Sequence, residues 1–215
     1  MPIALNVDTL RKLLPPSVSL LAASKGRGMA EIEEALRAGV AIFGENYVQE
    51  AERKAPLLRG RAELHLIGHL QKNKVKRALE VFDMIQTVDS FALAQEISRH
   101  SAVPYPILIQ INIGGEQQKS GCLPEEAALL IKRISELPAV RIKGLMAMAP
   151  HTENPGDARP YFRKMKSIFD GLKKKTLENV SMSILSMGMS GDYREAVEEG
   201  STMIRLGEAF FGPRS

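Results

Sequence analysis

What most constrains the fold of this chain is a count of short apolar runs. Stretches rich in Ile, Val, Leu and Met alternate with segments of helical period, and eight of them read as strands: "VSLLAAS", "AIFGEN", "ELHLIG", "MIQTVD", "ILIQINIG", "IKGLMAMA", "MSILSMG" and "TMIRLG". They are continuous rather than alternating, as strands buried on both faces of a parallel sheet must be. Candidate helices fill the gaps at Met29 to Ala38, Tyr47 to Leu58, Gln71 to Leu79, Ser90 to Arg99, Pro124 to Glu136, Ala158 to Lys175 and Asp192 to Glu199, after a leading helix near Val7 to Leu14. Eight such units in 215 residues, with no low-complexity linker between them, predict a single α/β domain over residues 1–215. Its form is a (β/α)8 TIM-like barrel with an extra N-terminal helix; a doubly wound open sheet is the runner-up.

Composition narrows the role by exclusion. With 44% hydrophobic residues the chain can bury a sizeable core. Its 29 basic and 25 acidic residues are interspersed, so a net charge of +4 gives no footprint for nucleic acid. Cys122 is the only cysteine, which rules out an internal disulfide. The start "MPIALNVDTL" has no basic segment leading into an apolar one, and no apolar run approaches the roughly 18 residues that span a bilayer. A cytoplasmic protein without a membrane or nucleic-acid partner is expected. The longest helical segment, "ARPYFRKMKSIFDGLKKK", sets Tyr161, Phe162, Met165, Ile168, Phe169 and Leu172 on one face and its lysines on the other, the pattern of an outer helix.

In such a barrel, reactive groups collect at the carboxyl ends of the strands. Those ends carry Ser24 and Lys25, Glu45 and Asn46, Gly68 and His69, Asp89, Asn112, Met148 and His151, Ser186 to Ser190, and Arg205 to Glu208. Lys25 follows an apolar strand abruptly. Its amine either snorkels to solvent or serves as a Schiff-base nucleophile, made reactive by desolvation and a nearby fixed cation. Arg205 can supply that cation: period-two alternation turns Ile204 and Leu206 toward the helices and Met203, Arg205 and Gly207 into the barrel. A structural carboxylate partner is the other reading of a buried arginine. Gly188, Ser190 as a helix cap, and Gly207 together suggest an anion nest in the loops after strands seven and eight, although Gly and Ser also make ordinary turns. Amine, arginine and nest point to a phosphorylated aldehyde. His69 is placed for acid–base work but reads better as a hydrogen-bonded structural residue, as does His65. No His, Cys, Asp and Glu cluster has metal-ligand spacing.

The segments "ASK", "FGENYVQE", "HLIGHLQKNK", "KSGC" and "LSMGMSGDYREAVEEGSTMIRLGEAFFG" resemble the pyridoxal phosphate homeostasis protein family, from about Leu20 to Gly212. That family is similar to the barrel domain of alanine racemases. The resemblance implies that Lys25 forms a Schiff base with pyridoxal 5'-phosphate, that Asn46 lines the cofactor, and that Arg205 faces the pyridine nitrogen. It also implies that Ser190, Gly207 and Glu208 bind the phosphate, the last two through backbone N–H groups. Many relatives carry Thr and Lys where this chain has Gly26 and Arg27, and Thr where it has Glu208, so the Glu208 carboxylate is expected to turn outward.

Arginine beside the ring nitrogen favours the neutral ring and a weak electron sink. Racemases add a second base from an additional β domain, and the sequence ends at "FGPRS" directly after strand eight. The expectation is a monomeric holder of the cofactor acting in its intracellular homeostasis, without robust catalysis, with pyridoxal-phosphate-dependent apo-enzymes as candidate recipients. Two alternatives stay open: a racemase using Lys25 with His69 or a partner chain, and a Schiff-base aldolase without cofactor.

Overall fold

The computed structural model describes residues 3–212; Met1, Pro2 and the last three residues of "FGPRS" lie outside them. Eight parallel strands close into a barrel in chain order. In sequence, the described elements are α1 (Ile3–Leu13), β1 (Ser19–Ala23), α2 (Met29–Arg37), β2 (Ile42–Glu45), α3 (Val48–Leu58), β3 (Glu63–Leu66), α4 (Val75–Val81), β4 (Met84–Val88), α5 (Phe91–His100), β5 (Tyr105–Ile111), α6 (Ala127–Ser135), β6 (Val140–Ala147), α7 (Arg159–Lys173), β7 (Val180–Ser186), α8 (Tyr193–Glu198), β8 (Met203–Leu206) and α9 (Glu208–Phe211). The closed barrel and the extra leading helix match the expectation, and the open sheet does not occur.

The differences lie at element ends. The leading helix starts at Ile3 because Ile3, Val7 and Leu10 form one buried stripe. The expected helix from Gln71 begins as a 3-10 turn, Lys72–Lys74, before α4. Ser90 caps α5 as its sequence suggests, its hydroxyl accepting from the Leu93 N–H at 3.4 Å. The short helix α9 has no counterpart among the expected elements. Its Phe210 is fully buried, and the Phe210 carbonyl accepts from Asn6 Nδ2 at 2.9 Å, fastening α9 to α1.

Two layers of side chains result. The large apolar layer lies between strands and helices and includes Phe43, Phe162, Ile204 and Leu206. A separate small cluster of Met84, Leu108 and Met146, backed by Met148 and Ile184, fills the inside of the barrel. Each fully buried aliphatic or aromatic side chain contributes about 1.5–3 kcal/mol relative to exposure. Polar groups share that interior: His65, Gln86, Ser186 and Arg205 are all at most 5% exposed. Buried polar groups persist only when hydrogen-bonded, so these four mark where the fold places something other than core.

Candidate functional site

Lys25 follows β1 at the carboxyl rim of the barrel, and the residues on either side of it are clamped. Lys54 of α3 donates from Nζ to the Ser24 carbonyl at 2.6 Å, to Glu45 Oε1 at 2.5 Å and to Glu50 Oε1 at 2.8 Å. Ser24 Oγ donates to the same Glu45 oxygen at 2.5 Å, and the Gly26 N–H donates to Glu50 Oε1 at 2.6 Å. Burial pushes the Glu45 carboxyl above its ordinary range, against the hydrogen bonds from Lys54 and Ser24. Burial acts the same way on Glu50, but there the bonds from Lys54 and the Gly26 N–H prevail, with help from the charges of Lys54 and Lys25, and its pKa falls. Lys25 itself is half-buried, with Nζ 5.1 Å from the centroid of the Tyr47 ring.

Lys54 was not among the expected site residues. It lies on the stripe of α3 that also holds the buried Val48, Ala51, Ala55 and Leu58, so a lysine on an apolar face was the available signal.

Asn46 stands at the end of β2, one strand over, half-buried. Its backbone is pressed against Gly68, where an added Cβ would meet the Asn46 carbonyl oxygen at 2.3 Å. The third strand can end there only in glycine.

Arg205 points into the barrel, as alternation requires. Nη1 donates to Ser186 Oγ at 2.7 Å and Nη2 to the Ala147 carbonyl at 2.9 Å, so its acceptors are neutral groups rather than a carboxylate ion pair. Burial lowers its pKa to about 10, with the charge of Asp192 opposing, and it remains a cation at neutral pH. The Leu21–Arg205 register of β1 against β8 carries both strands to the same rim, where Gly207 lies beside the Ala23 carbonyl.

The loops after β7 and β8 meet as expected, but not by the expected contact. Ser190 does not cap α8; that position belongs to Asp192, two residues later. The chain leaves β7 through Gly188 at φ +94, and Asp192 Oδ1 accepts from the Met189 N–H at 2.6 Å, which tightens the loop before the helix begins. Ser190 is thereby freed, and its Oγ accepts from the Gly207 N–H at 3.3 Å. Glu208 is exposed at the first turn of α9. Beside this loop a cavity of about 210 Å³ opens among Met148, His151, Met189 and Asp192.

Arg27 has a local role. It pairs with Glu31 at 3.0 Å, donates to the Gly212 carbonyl and stacks on Phe211, tying the loop after Lys25 to the end of α9. His69 is exposed, with Ser120 Oγ 3.4 Å from Nδ1. His65 is buried and hydrogen-bonded to Glu63 and Gln86. Among the described residues no group of three or more His, Cys, Asp and Glu side chains is arranged to hold a metal, and no helix is long and apolar enough to cross a membrane.

The alanine racemase N-terminal domain family matches residues 2–215. Pyridoxal phosphate homeostasis proteins of Haemophilus influenzae and Aquifex aeolicus are 42% and 41% identical, over 93% and 91% of this chain and 86% of each relative. The chain belongs to this family. Among solved structures, PipY of Synechococcus elongatus without PLP superposes with a TM-score of 0.91 at 37% identity, covering 98% of this chain and 100% of PipY. PipY with PLP bound gives 0.88 at 36% identity over the same shares. Alanine racemase of Corynebacterium glutamicum shares the fold, with a TM-score of 0.80 at 18% identity over 97% of this chain and 59% of the racemase.

Proposed function

We propose that this family member binds pyridoxal 5'-phosphate in the mouth of its barrel, as one domain spanning 1–215, and keeps the cofactor available inside the cell without robust catalysis of its own. The observation that carries this reading is the likeness along its whole length to PipY with PLP bound, at 36% identity. The curated relatives point the same way, since they are named for homeostasis of the cofactor rather than for a reaction. The racemase alternative has the family model of the barrel domain and a likeness of fold at 18% identity, and neither carries a reaction.

The donor set suits the ligand. An arginine held by neutral acceptors keeps a cation at the rim, and the Ser190 hydroxyl and the Gly207 N–H stand together in one loop pair. When bound, pyridoxal phosphate supplies an aldehyde that an amine captures reversibly and a ring that withdraws electrons. Lys25 holds the aldehyde carbon as a Schiff base, and Asn46 lines the ring. Ser190, Gly207 and Glu208 hold the phosphate, Gly207 and Glu208 through backbone N–H groups. Arg205 donates to the ring nitrogen; a guanidinium has no acceptor to offer, so that nitrogen must stay unprotonated. The Lys54–Glu45–Glu50 clamp fixes the strand end from which Lys25 projects. In this reading the protein is a cytoplasmic monomer that supplies pyridoxal-phosphate-dependent apo-enzymes.

Borohydride reduction of freshly purified protein, followed by peptide mass spectrometry, tests it. The expected result is a pyridoxyl group on Lys25 that is absent from Lys25→Ala, with α-proton exchange of amino acids in heavy water near the buffer rate. An adduct on another lysine, or racemisation at enzyme-like rates dependent on Lys25 and His69, overturns the reading.

A further inference from the structure

The hydrogen bonds of Arg205 do not stop at Ser186. Arg205 Nη1 donates to Ser186 Oγ at 2.7 Å, and Ser186 Oγ donates to Gln86 Oε1 at 2.8 Å. Gln86 Nε2 lies 3.0 Å from His65 Nδ1, and His65 Nε2 lies 2.9 Å from Glu63 Oε2. Five side chains thus form one line from β8 through β7 and β4 to the start of β3. The middle three are at most 1% exposed, whereas the Glu63 side chain is 61% exposed. The line crosses the barrel from the rim that carries Lys25 toward the opposite end, where β3 begins.

Its two ends set its direction. A guanidinium only donates and a carboxylate only accepts. Ser186 therefore accepts from Arg205 and sends its own hydrogen to Gln86 Oε1. The Gln86 amide nitrogen then faces His65, so His65 Nδ1 is the bare nitrogen and Nε2 carries the hydrogen that goes to Glu63. Turning the Gln86 amide around would leave the Ser186 hydrogen facing a guanidinium, with no acceptor within the line. One arrangement satisfies every member, and it ends on Arg205.

We propose that Gln86 and Ser186 are positioning residues for Arg205: the one-way chain back to Glu63 fixes which guanidinium N–H groups are engaged inside the barrel and which face its mouth, there to donate to the ring nitrogen of a bound pyridoxal phosphate. This rests on the reading of Arg205 given above. It explains why a glutamine and a serine stand in barrel strands at positions that apolar residues would fill, and why Arg205 needs no carboxylate partner.

Side-chain nitrogen NMR on the full chain, before any cofactor is added, tests the positioning directly. In the native protein the guanidinium signals of Arg205, assigned by their loss in Arg205→Lys, are expected to be split by hindered rotation, and the His65 shifts to report a bare Nδ1. In Gln86→Leu and in the smaller change Ser186→Ala the Arg205 signals should collapse to an average. In Gln86→Glu, which keeps an oxygen toward Ser186, they should stay split. On titration with pyridoxal 5'-phosphate, Gln86→Leu should bind about tenfold more weakly than the native protein, the scale of one weakened hydrogen bond to a charged group. Unchanged Arg205 signals in both Gln86→Leu and Ser186→Ala, or a protonated His65 Nδ1, overturn the inference. Collapsed signals in the variants together with a native protein that gives no pyridoxyl adduct support the positioning and overturn only the cofactor reading of the site.

Discussion

Lys54 Nζ lies 2.5 Å from Glu45 Oε1 in a place where the two side chains are 5% and 0% exposed, directly behind the strand end that bears Lys25. A buried pair is costly to break from one side, because the remaining charge keeps its desolvation and loses its partner. Glu45 Oε2 already has no hydrogen-bond partner. Lys54→Met should therefore destabilise the fold by about 3–5 kcal/mol, and Lys54→Met with Glu45→Leu should recover much of that. Urea unfolding of the three proteins decides it; a single variant within about 1 kcal/mol of the native protein would show the pair to be incidental.

Acid should loosen the same clamp. The folded pKa of Glu50 lies below its ordinary 4.5, so its contribution is present above that pH and is lost as pH falls through the folded value. Glu45 has the opposite sign: its raised folded pKa means that ionisation weakens the fold as pH rises above 4.5. Glu50→Gln is accordingly expected to lower stability at neutral pH and to flatten the acid limb of the urea-midpoint profile. An acid limb as steep as the native one would remove Glu50 from this account.

Gly188→Ala should damage both fold and site. At φ +94 an L side chain is strained, and the added Cβ would sit 2.6 Å from Ala196 Cβ. A loss of about 1–3 kcal/mol is expected, measurable as a lower melting temperature. Weaker retention of pyridoxal phosphate should accompany it, because the loop holding Ser190 against Gly207 must shift. Native melting and native retention together would contradict the role given to this turn.

Cys122 should be inert until the protein unfolds. Burial, aided by the charges of Glu126 and Asp89, pushes its thiol from 9.0 up to about 12. The thiolate fraction at mild pH is then roughly a thousandfold smaller than for an unfolded thiol. A disulfide reagent added with and without urea reads the difference, and equal rates in both would disprove it.

Much of this architecture is legible in the residues. Continuous apolar runs fix the number of strands, and their ends bring Lys25, Asn46, Arg205 and Ser190 to one rim; alternation alone turns Arg205 inward. What escaped reading depends on partners far away in sequence. Lys54 is the exception, only nine positions from Glu45, and its signal was a lysine on the apolar stripe of α3. Gln86 and His65 acquire meaning only through Ser186, 100 residues beyond Gln86. Ser190 looks like a helix cap because Ser followed by Gly and Asp is cap-like, and it misleads because Asp192 takes that place once Gly188 bends the chain. The helix α9, at four residues, is too short to show a period.

The seam between β1 and β8 has a consequence for biosynthesis. Leu21 pairs with Arg205, and Asn6 reaches Phe210 across 204 positions, so the first strand emerges from the ribosome long before its last neighbour exists. Until β8 has been made, β1 has an open edge, the kind of surface on which nascent chains stick to one another. The strand that ends in Lys25 therefore waits longest for its second neighbour, and chaperone demand should fall on it and the helices beside it.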